Sequence, residues 1–115
     1  MATPIVFFDL AGEDVAGLKA FYGKVFSWES DAQHQFAVPV ETPVHAAFRQ
    51  DPTEMRLYMG VDDVAEVLRM VESHGGSVDA PRFEVPGVVV LGLFRDPAGN
   101  PMGLVEMDGQ QPKVP

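Results

Sequence analysis

The sequence contains no cysteine among its 115 residues, which excludes disulfides, thiolate metal sites and cysteine nucleophiles. It also lacks any apolar run approaching the ~20 residues that a membrane-spanning helix needs. The first residues, Met1 to Pro4, lack the basic stretch that opens a secretory signal peptide. We therefore expect a cytoplasmic protein.

Basic residues are also scarce. Eight Lys and Arg stand against 17 Asp and Glu, which gives a net charge of −9. Such a field repels phosphate backbones and anionic lipid surfaces, so neither nucleic acid nor a membrane is an expected partner. No glycine-rich nucleotide fingerprint is present. The charge favours a neutral or cationic small molecule, unless a local base reverses the sign inside a pocket.

What the sequence does contain is an internal repeat with an offset of 49 residues. Residues 14–16, Asp-Val-Ala, fall on residues 63–65, which have the same sequence. Both copies place an aspartate N-cap before an apolar stripe with helical spacing, and a buried strand before the aspartate. The predicted strand–helix pairs are Ile5–Leu10 with a helix from Asp14 to near Phe26, and Met55–Val61 with a helix capped by Asp62 or Asp63.

Three further strands are predicted after each helix, so that the order βαβββ occurs twice. They lie near Trp28 and over Phe36–Val40 and Val44–Arg49 in the first half, and over Ser77–Phe83, Val88–Arg95 and Pro101–Met107 in the second. We predict one domain made of a first module over 1–52 and a second over 53–108, followed by a flexible tail over 109–115. Neither module is large enough for an independent core, so the two must share one.

Several short motifs resemble the vicinal oxygen chelate superfamily, to which glyoxalases, bleomycin-resistance proteins and ring-cleaving dioxygenases belong. They are Phe-Tyr-Gly-Lys-Val-Phe-Ser-Trp at 21–28, close to that family's Phe-Tyr-x-x-(Val/Leu)-Phe-Gly-Trp, Gly-Val-Asp-Asp-Val at 60–64, Gly75-Gly76, and Asp-Pro-Ala-Gly-Asn at 96–100. The resemblance implies an α+β fold, in which two tandem βαβββ modules form a curved mixed sheet around a shared cleft. It also implies a homodimer.

The resemblance further implies four metal-ligand positions, which fall here on Phe7, His45, Arg56 and Gly103. Phenylalanine and glycine side chains cannot coordinate a metal, and an always-protonated arginine repels a cation. One histidine cannot hold a catalytic metal alone, so we predict no metal and no other cofactor. Glu106 is expected on the opposite face of its strand from Gly103.

Three polar residues are candidates for catalysis: Asp9, His45 and Arg56. Arg56 either stabilises negative charge on a substrate or pairs with Glu54, Asp9 or another acid. His45 either moves a proton or is structural, and Asp9 lies either in a pocket or at the exposed end of its strand. The predicted ligand-binding set is Phe7, Asp9, Trp28, His45, Arg56, Tyr58 and Gly103.

Four functions fit these residues. The first is a binding module whose clefts hold a planar, apolar or amphipathic small molecule such as an antibiotic. The second is a cofactor-free enzyme that uses Arg56 with His45 or Asp9. The third is a metal-dependent lyase or dioxygenase, which requires the strand register to differ by one residue. The fourth is a regulatory module that keeps only the fold.

Overall fold

The computed structural model describes residues 2–38 and 44–115. Within these residues two helices and eight strands are present. In chain order they are β1 (Ile5–Gly12), α1 (Val15–Phe26), β2 (Gln35–Val38), β3 (Val44–Gln50), β4 (Glu54–Val61), α2 (Val64–Ser73), β5 (Ser77–Val85), β6 (Val89–Arg95), β7 (Pro101–Asp108) and β8 (Gln111–Pro112). In this described part of the chain, neither helix is long and apolar enough to cross a membrane.

Both helices begin at the predicted aspartate caps. Asp14 Oδ1 accepts the backbone N–H of Gly17 at 3.0 Å, and Asp63 Oδ1 accepts that of Glu66 at the same distance. Each bond satisfies one of the free N–H groups in a first helical turn. The predicted cap at Asp14 is thus confirmed, and of the two alternatives for the second helix, Asp62 and Asp63, the cap is Asp63.

The chain folds into two compact units. The first unit comprises residues 7–56, and in it β3 pairs parallel to β1 and antiparallel to β2. The second unit comprises residues 57–115 with the segment up to Val6. In it β7 pairs parallel to β4 and antiparallel to β6, and β6 is antiparallel to β5. The junction between the units lies inside β4, and the predicted division of the repeat at residue 52 stays a prediction.

The last segment, 109–115, was predicted to be a flexible tail. It contains β8, which pairs antiparallel with the end of β7. The N–H of Lys113 donates to the carbonyl of Glu106 at 2.9 Å. The segment therefore has a defined backbone path, and its flexibility stays a prediction.

The strand predicted near Trp28 is wrong, because residues 27–30 form no strand. Ser27 ends α1 in the left-handed region, with φ 60°, and this turns the chain away from the helix. The Trp28 ring then stacks on Tyr22 at 5.3 Å and on Phe36 at 5.4 Å between ring centroids. Its apolar character serves the core of the first unit rather than a strand. The strand predicted over Phe36–Val40 is present as far as Val38, and residues 39–43 lie outside the described residues.

Each unit packs its helix against one face of its strands. In the first unit Phe8, Leu10, Ala46 and Phe48 belong to the core cluster with Val15 of α1. In the second unit Met59, Val61, Met102 and Leu104 pack with Val64 and Leu68 of α2. Because side chains alternate along a strand, the residues between these lie on the other face, which we call the far face. Asp9 and Arg49 define the far face of the first unit, and Tyr58 and Gly103 define that of the second.

Candidate functional site

An ion-pair cluster occupies the far face of the first unit, with Arg49 at its centre. Arg49 Nε lies 2.9 Å from Asp9 Oδ2, and its Nη1 lies 2.9 Å from Asp51 Oδ2. Its Nη2 donates to a carboxylate oxygen of Glu54. One guanidinium therefore contacts three carboxylates, and it fixes the position of each.

Arg56 joins the same cluster through Glu54. Its Nη2 donates to Glu54 Oε1 at 3.2 Å. The side chains of Arg56 and Asp9 are each only 5% exposed. The cluster therefore holds three carboxylates and two guanidiniums, which leaves one excess negative charge. Asp9 and Arg56 are its buried members, whereas the Asp51 side chain is 53% exposed at its edge.

The contacts within the cluster shift the pKa values of Arg49 and Glu54. Burial lowers the pKa of Arg49, but its ion pairs with Asp9, Glu54 and Asp51 outweigh burial and raise it above its ordinary value. Burial raises the pKa of Glu54, but the bond from Arg49 and the charge of Arg56 outweigh burial and lower it. Both groups therefore stay ionised at neutral pH.

Arg56 and Asp9 are each ion-paired with a side chain of opposite charge. Of the alternatives for Arg56, the pairing with Glu54 is present. Of those for Asp9, the side chain lies in a buried position against Arg49 rather than at an exposed strand end. Both residues thus belong to the same cluster, and their part in catalysis or ligand binding stays a prediction.

His45 and Trp28 lie apart from this cluster. His45 is exposed on β3, opposite Ala37 of β2, and the ion pairs of the cluster do not include it. Trp28 packs on the helix side of the first unit with Tyr22 and Phe36. Its packing already accounts for a large aromatic residue at that position, and ligand contact by either residue stays a prediction.

Arg49 is the cluster residue that could not be singled out from the sequence, and Glu54 was considered only as a possible partner of Arg56. The signal was strand alternation, because Arg49 follows His45 and Ala47 at a spacing of two on β3. In the parallel register of β1 and β3, Asp9 pairs with Ala47 and Ala11 pairs with Arg49. Arg49 therefore lies two residues further along the strands than Asp9, on the same face. The turn at 51–53 then returns the chain so that Glu54 reaches Arg49.

On the far face of the second unit, Tyr58 covers Gly103. The two residues are direct neighbours in the parallel pairing of β4 and β7. A Cβ atom on residue 103 would lie 2.4 Å from two carbon atoms of the Tyr58 ring, closer than atoms can approach. Only glycine fits beneath this ring, because any side chain would have to displace it. Tyr58 thus fills the space that a metal-ligating side chain at position 103 would need.

The four implied metal corners therefore do not fit a divalent cation. The ring of Tyr58 lies over Gly103, and Arg56 carries a buried positive charge that is ion-paired with Glu54. Over residues 2–38 and 44–115, no group of three His, Asp or Glu side chains is arranged to hold a metal ion.

A second buried carboxylate, Glu106, lies on the helix side of the second unit, the opposite face from Gly103 as predicted. It accepts bonds from Arg82 Nε and Nη2 at 2.9 Å each and from the backbone N–H of Val64 at 3.1 Å. Lys113 Nζ lies at 3.4 Å. The bonds from Arg82, despite burial, lower the pKa of Glu106 to about 2. Glu106 therefore joins the start of α2, strand β5 and the last residues of the chain.

Comparison with known proteins identifies the family of this chain. The model of the glyoxalase-like domain family matches residues 5–105, and the chain belongs to this family. The chain is 29% identical, over 117 aligned positions, to the anthracycline biosynthesis protein DnrV of Streptomyces peucetius. That alignment covers 80% of this chain but only 42% of DnrV, so the chain spans less than half the length of this relative.

Solved structures support the fold. A Streptomyces coelicolor methylmalonyl-CoA epimerase variant, in complex with 2-nitronate-propionyl-CoA, matches with a TM-score of 0.67 and 12% identity over 98% of this chain and 99% of that one. A glyoxalase/bleomycin resistance protein/dioxygenase superfamily member from Vibrio splendidus 12B01 matches with a TM-score of 0.64 and 12% identity over 92% of this chain and all of that one. The predicted glyoxalase/bleomycin-resistance fold is confirmed.

Proposed function

We propose that this protein binds a small amphipathic molecule, with an apolar body and a positively charged group, on the far face of the first unit. The observation that carries the proposal is the composition of the Asp9–Arg49–Asp51–Glu54–Arg56 cluster, in which three carboxylates stand against two guanidiniums. Its net negative charge attracts a cation. The Asp51 side chain is 53% exposed, so a cationic group of the ligand could reach it at the edge of the cluster.

The apolar part of the ligand would contact the residues beside the cluster. Phe7 and Asp9 are two residues apart on β1, so their side chains share a face, and an aromatic ring thereby adjoins a buried carboxylate. Flat aromatic ligands stack favourably on such rings. A few polar groups in an apolar surface are typical of small-molecule sites.

The same contacts argue against the cofactor-free enzyme. Arg56 would have to stabilise a developing negative charge, yet Glu54 already contacts its guanidinium. Asp9 would have to accept a proton, yet it is ion-paired with Arg49. A group that is already neutralised by a partner contributes less to a transition state, because the partner must first be displaced.

An antibiotic is the ligand class that we propose, and the relative DnrV supports it because its name places it in anthracycline biosynthesis. Anthracyclines combine a planar ring system with an amino sugar, which is the combination of features that the cluster and Phe7 would recognise. We further propose that the protein acts as a homodimer in the cytoplasm without a metal or other cofactor.

The test is a fluorescence titration with doxorubicin, which carries the amine, and with its aglycone, which does not. We expect saturable binding of doxorubicin, at least tenfold weaker binding of the aglycone, and a loss of this preference in Glu54→Gln. The matched control is Glu84→Gln, because Glu84 is an exposed carboxylate on β5. Equal binding of both compounds to the wild type, or an unchanged preference in Glu54→Gln, would overturn the proposal.

The Arg56→Met variant separates binding from catalysis. Removal of this guanidinium adds to the excess negative charge, so doxorubicin binding should be retained or strengthened. A cofactor-free enzyme would instead lose turnover in this variant while keeping its fold. Weakened doxorubicin binding in Arg56→Met would contradict the electrostatic basis of the proposal.

A further inference from the structure

An acid-rimmed groove of about 760 Å³ lies in the second unit, between the start of α2 and the end of β4. Its volume is in the range of sites that hold a drug-sized molecule or several large side chains. Apolar residues form its floor and walls: Val6, Val61, Val67, Met70 and Met107. Met70 is 55% exposed, and methionine side chains adapt readily to the shape of a partner.

Three carboxylates border this groove: Asp62, Asp63 and Glu66. Asp63 is engaged as the cap of α2, whereas Asp62 and Glu66 are exposed. No lysine, arginine or histidine belongs to the lining that the described residues form. The groove therefore favours an occupant that presents apolar side chains next to a positive charge.

The outer surface of α1, in the first unit, has the matching character. Phe21, Val25 and Phe26 are 54%, 56% and 55% exposed, although the rings of Phe21 and Phe26 also contact Tyr22. Lys24 is exposed beside them in the last turn. The helix sequence contains Lys19 and Lys24 but no Asp or Glu. In a protein with a net charge of −9, α1 is thus a basic and aromatic surface.

We propose that α1 of one copy of this protein docks into the acid-rimmed groove of a second copy. Phe21 and Val25 are four residues apart, so they lie on one side of the helix and can enter the apolar floor together. Lys24 would then lie against the rim, next to Asp62 or Glu66. Contiguous exposed apolar surface with complementary charge at its edge is typical of an interaction site.

The occupant is a second copy because both complementary surfaces belong to the same sequence. The contact is heterologous, since a helix meets a groove rather than its own counterpart. It therefore closes into a dimer if each copy uses both surfaces with the same partner, and it otherwise propagates. This inference rests on the proposed homodimer and supplies its interface. It does not depend on the ligand of the ion-pair cluster, so ligand binding can fail while association holds, and association can fail while ligand binding holds.

The test is sedimentation velocity of the whole chain over a range of protein concentrations in low salt. We expect concentration-dependent association of the wild type. Lys24→Glu and Asp62→Lys should each raise the dissociation constant about tenfold, because each places like charges together. An equimolar mixture of these two variants should associate like the wild type. In one contact an intact α1 surface meets an intact groove, and in the other the two substitutions place opposite charges together.

Phe21→Asp tests the apolar part of the contact, and it should abolish association. Its matched control is Val88→Asp, which places the same charge on another exposed apolar residue, in the turn after β5, and should leave association unchanged. Circular dichroism would verify that each variant is folded. A wild type that stays monomeric at all concentrations would overturn the proposal. So would association that survives Phe21→Asp, or a mixture of the two charge variants that fails to restore it.

Discussion

Both units bury a carboxylate on a strand and hold it with an arginine, but they do so on opposite faces. In the second unit Glu106 lies on the helix side and accepts bonds from Arg82 and from the first residue of α2. In the first unit Asp9 lies on the far face against Arg49, whose other two partners are acids. Buried charge alone therefore does not identify a site.

The composition of the two clusters differs as much as their position. Glu106 is a single acid that receives donors from three elements, so its charge is fully compensated and its role is to hold the unit together. In the first unit the acids outnumber the arginines, so the cluster is left with a charge that a ligand can neutralise. The balance of charge, together with the face of the strands, therefore separates a structural cluster from a candidate binding site.

The largest expected effect comes from removal of the structural carboxylate. Glu106→Ala leaves Arg82 and the N–H of Val64 without their partner, and we expect the free energy of unfolding to fall by roughly 3–5 kcal/mol. Chemical denaturation at pH 7 measures this change. The comparison requires that Asp9→Asn costs less, because Arg49 keeps Asp51 and Glu54. If the two substitutions cost the same, the distinction between the clusters fails.

A fall in pH should remove the stabilisation that ionised Glu106 contributes to the second unit. Because the pKa of Glu106 falls from an ordinary 4.5 to about 2 in the folded protein, its contribution is fully present above about pH 4.5 and is lost as the pH falls toward 2. We expect that contribution to be roughly 2–3 kcal/mol. The measurement is the stability of wild type and Glu106→Gln at pH 6 and pH 3. The gap between the two proteins should narrow at pH 3, and a gap that widens there would contradict the assignment.

On the far face, the packing of Tyr58 on Gly103 can be tested by a double-mutant cycle. Gly103→Ala forces the ring to move, and we expect a loss of roughly 1–3 kcal/mol in the free energy of unfolding. In a Tyr58→Ala background the same change should cost almost nothing, since the clash is absent. Additive losses in the double variant would show that the ring does not restrict position 103.

The smallest expected effect concerns the ends of the two helices. Ser27 follows α1 with φ 60°, whereas Gly75 follows α2 with φ 94°, where the absence of a Cβ removes the strain. Ser27→Gly should raise the free energy of unfolding by roughly 1 kcal/mol. Ser30→Gly, in the same loop, serves as the control and should give no gain. A neutral Ser27→Gly would mean that the serine is not strained in solution.

These contrasts also show what the sequence can predict. The caps at Asp14 and Asp63 act within one turn of chain, and buried and half-buried residues alternate regularly along β4 and β6, so local patterns suffice for these elements. The strand predicted near Trp28 was wrong because an apolar residue after a helix can belong either to a strand or to the core without one. The partner of Asp9 could not be read locally, because Arg49 is 40 residues away and reaches Asp9 only through the parallel pairing of β1 and β3.

The motif at 21–28 also contains local information about the backbone, at its position 27. Position 27 is glycine in the family pattern that the motif resembles and serine here, and the structure explains the glycine by the positive φ. The need for glycine at position 103 could not be predicted in this way, because it arises from the ring of Tyr58 on another strand. The residue type that a turn requires can thus be predicted from a local motif. The residue type that a neighbouring strand requires can be predicted only when the register of the two strands is known.

If the far face of the first unit binds the cationic ligand, its amides should respond when doxorubicin is added. The measurement is amide chemical-shift mapping of the isotopically labelled protein during a doxorubicin titration. We expect the largest shifts at Phe7, Asp9, Ala47 and Arg49, with little change at Glu106 and Val64. The largest shifts at Glu106, Val64 and Arg82, or no saturable shifts at Asp9 and Arg49, would contradict it.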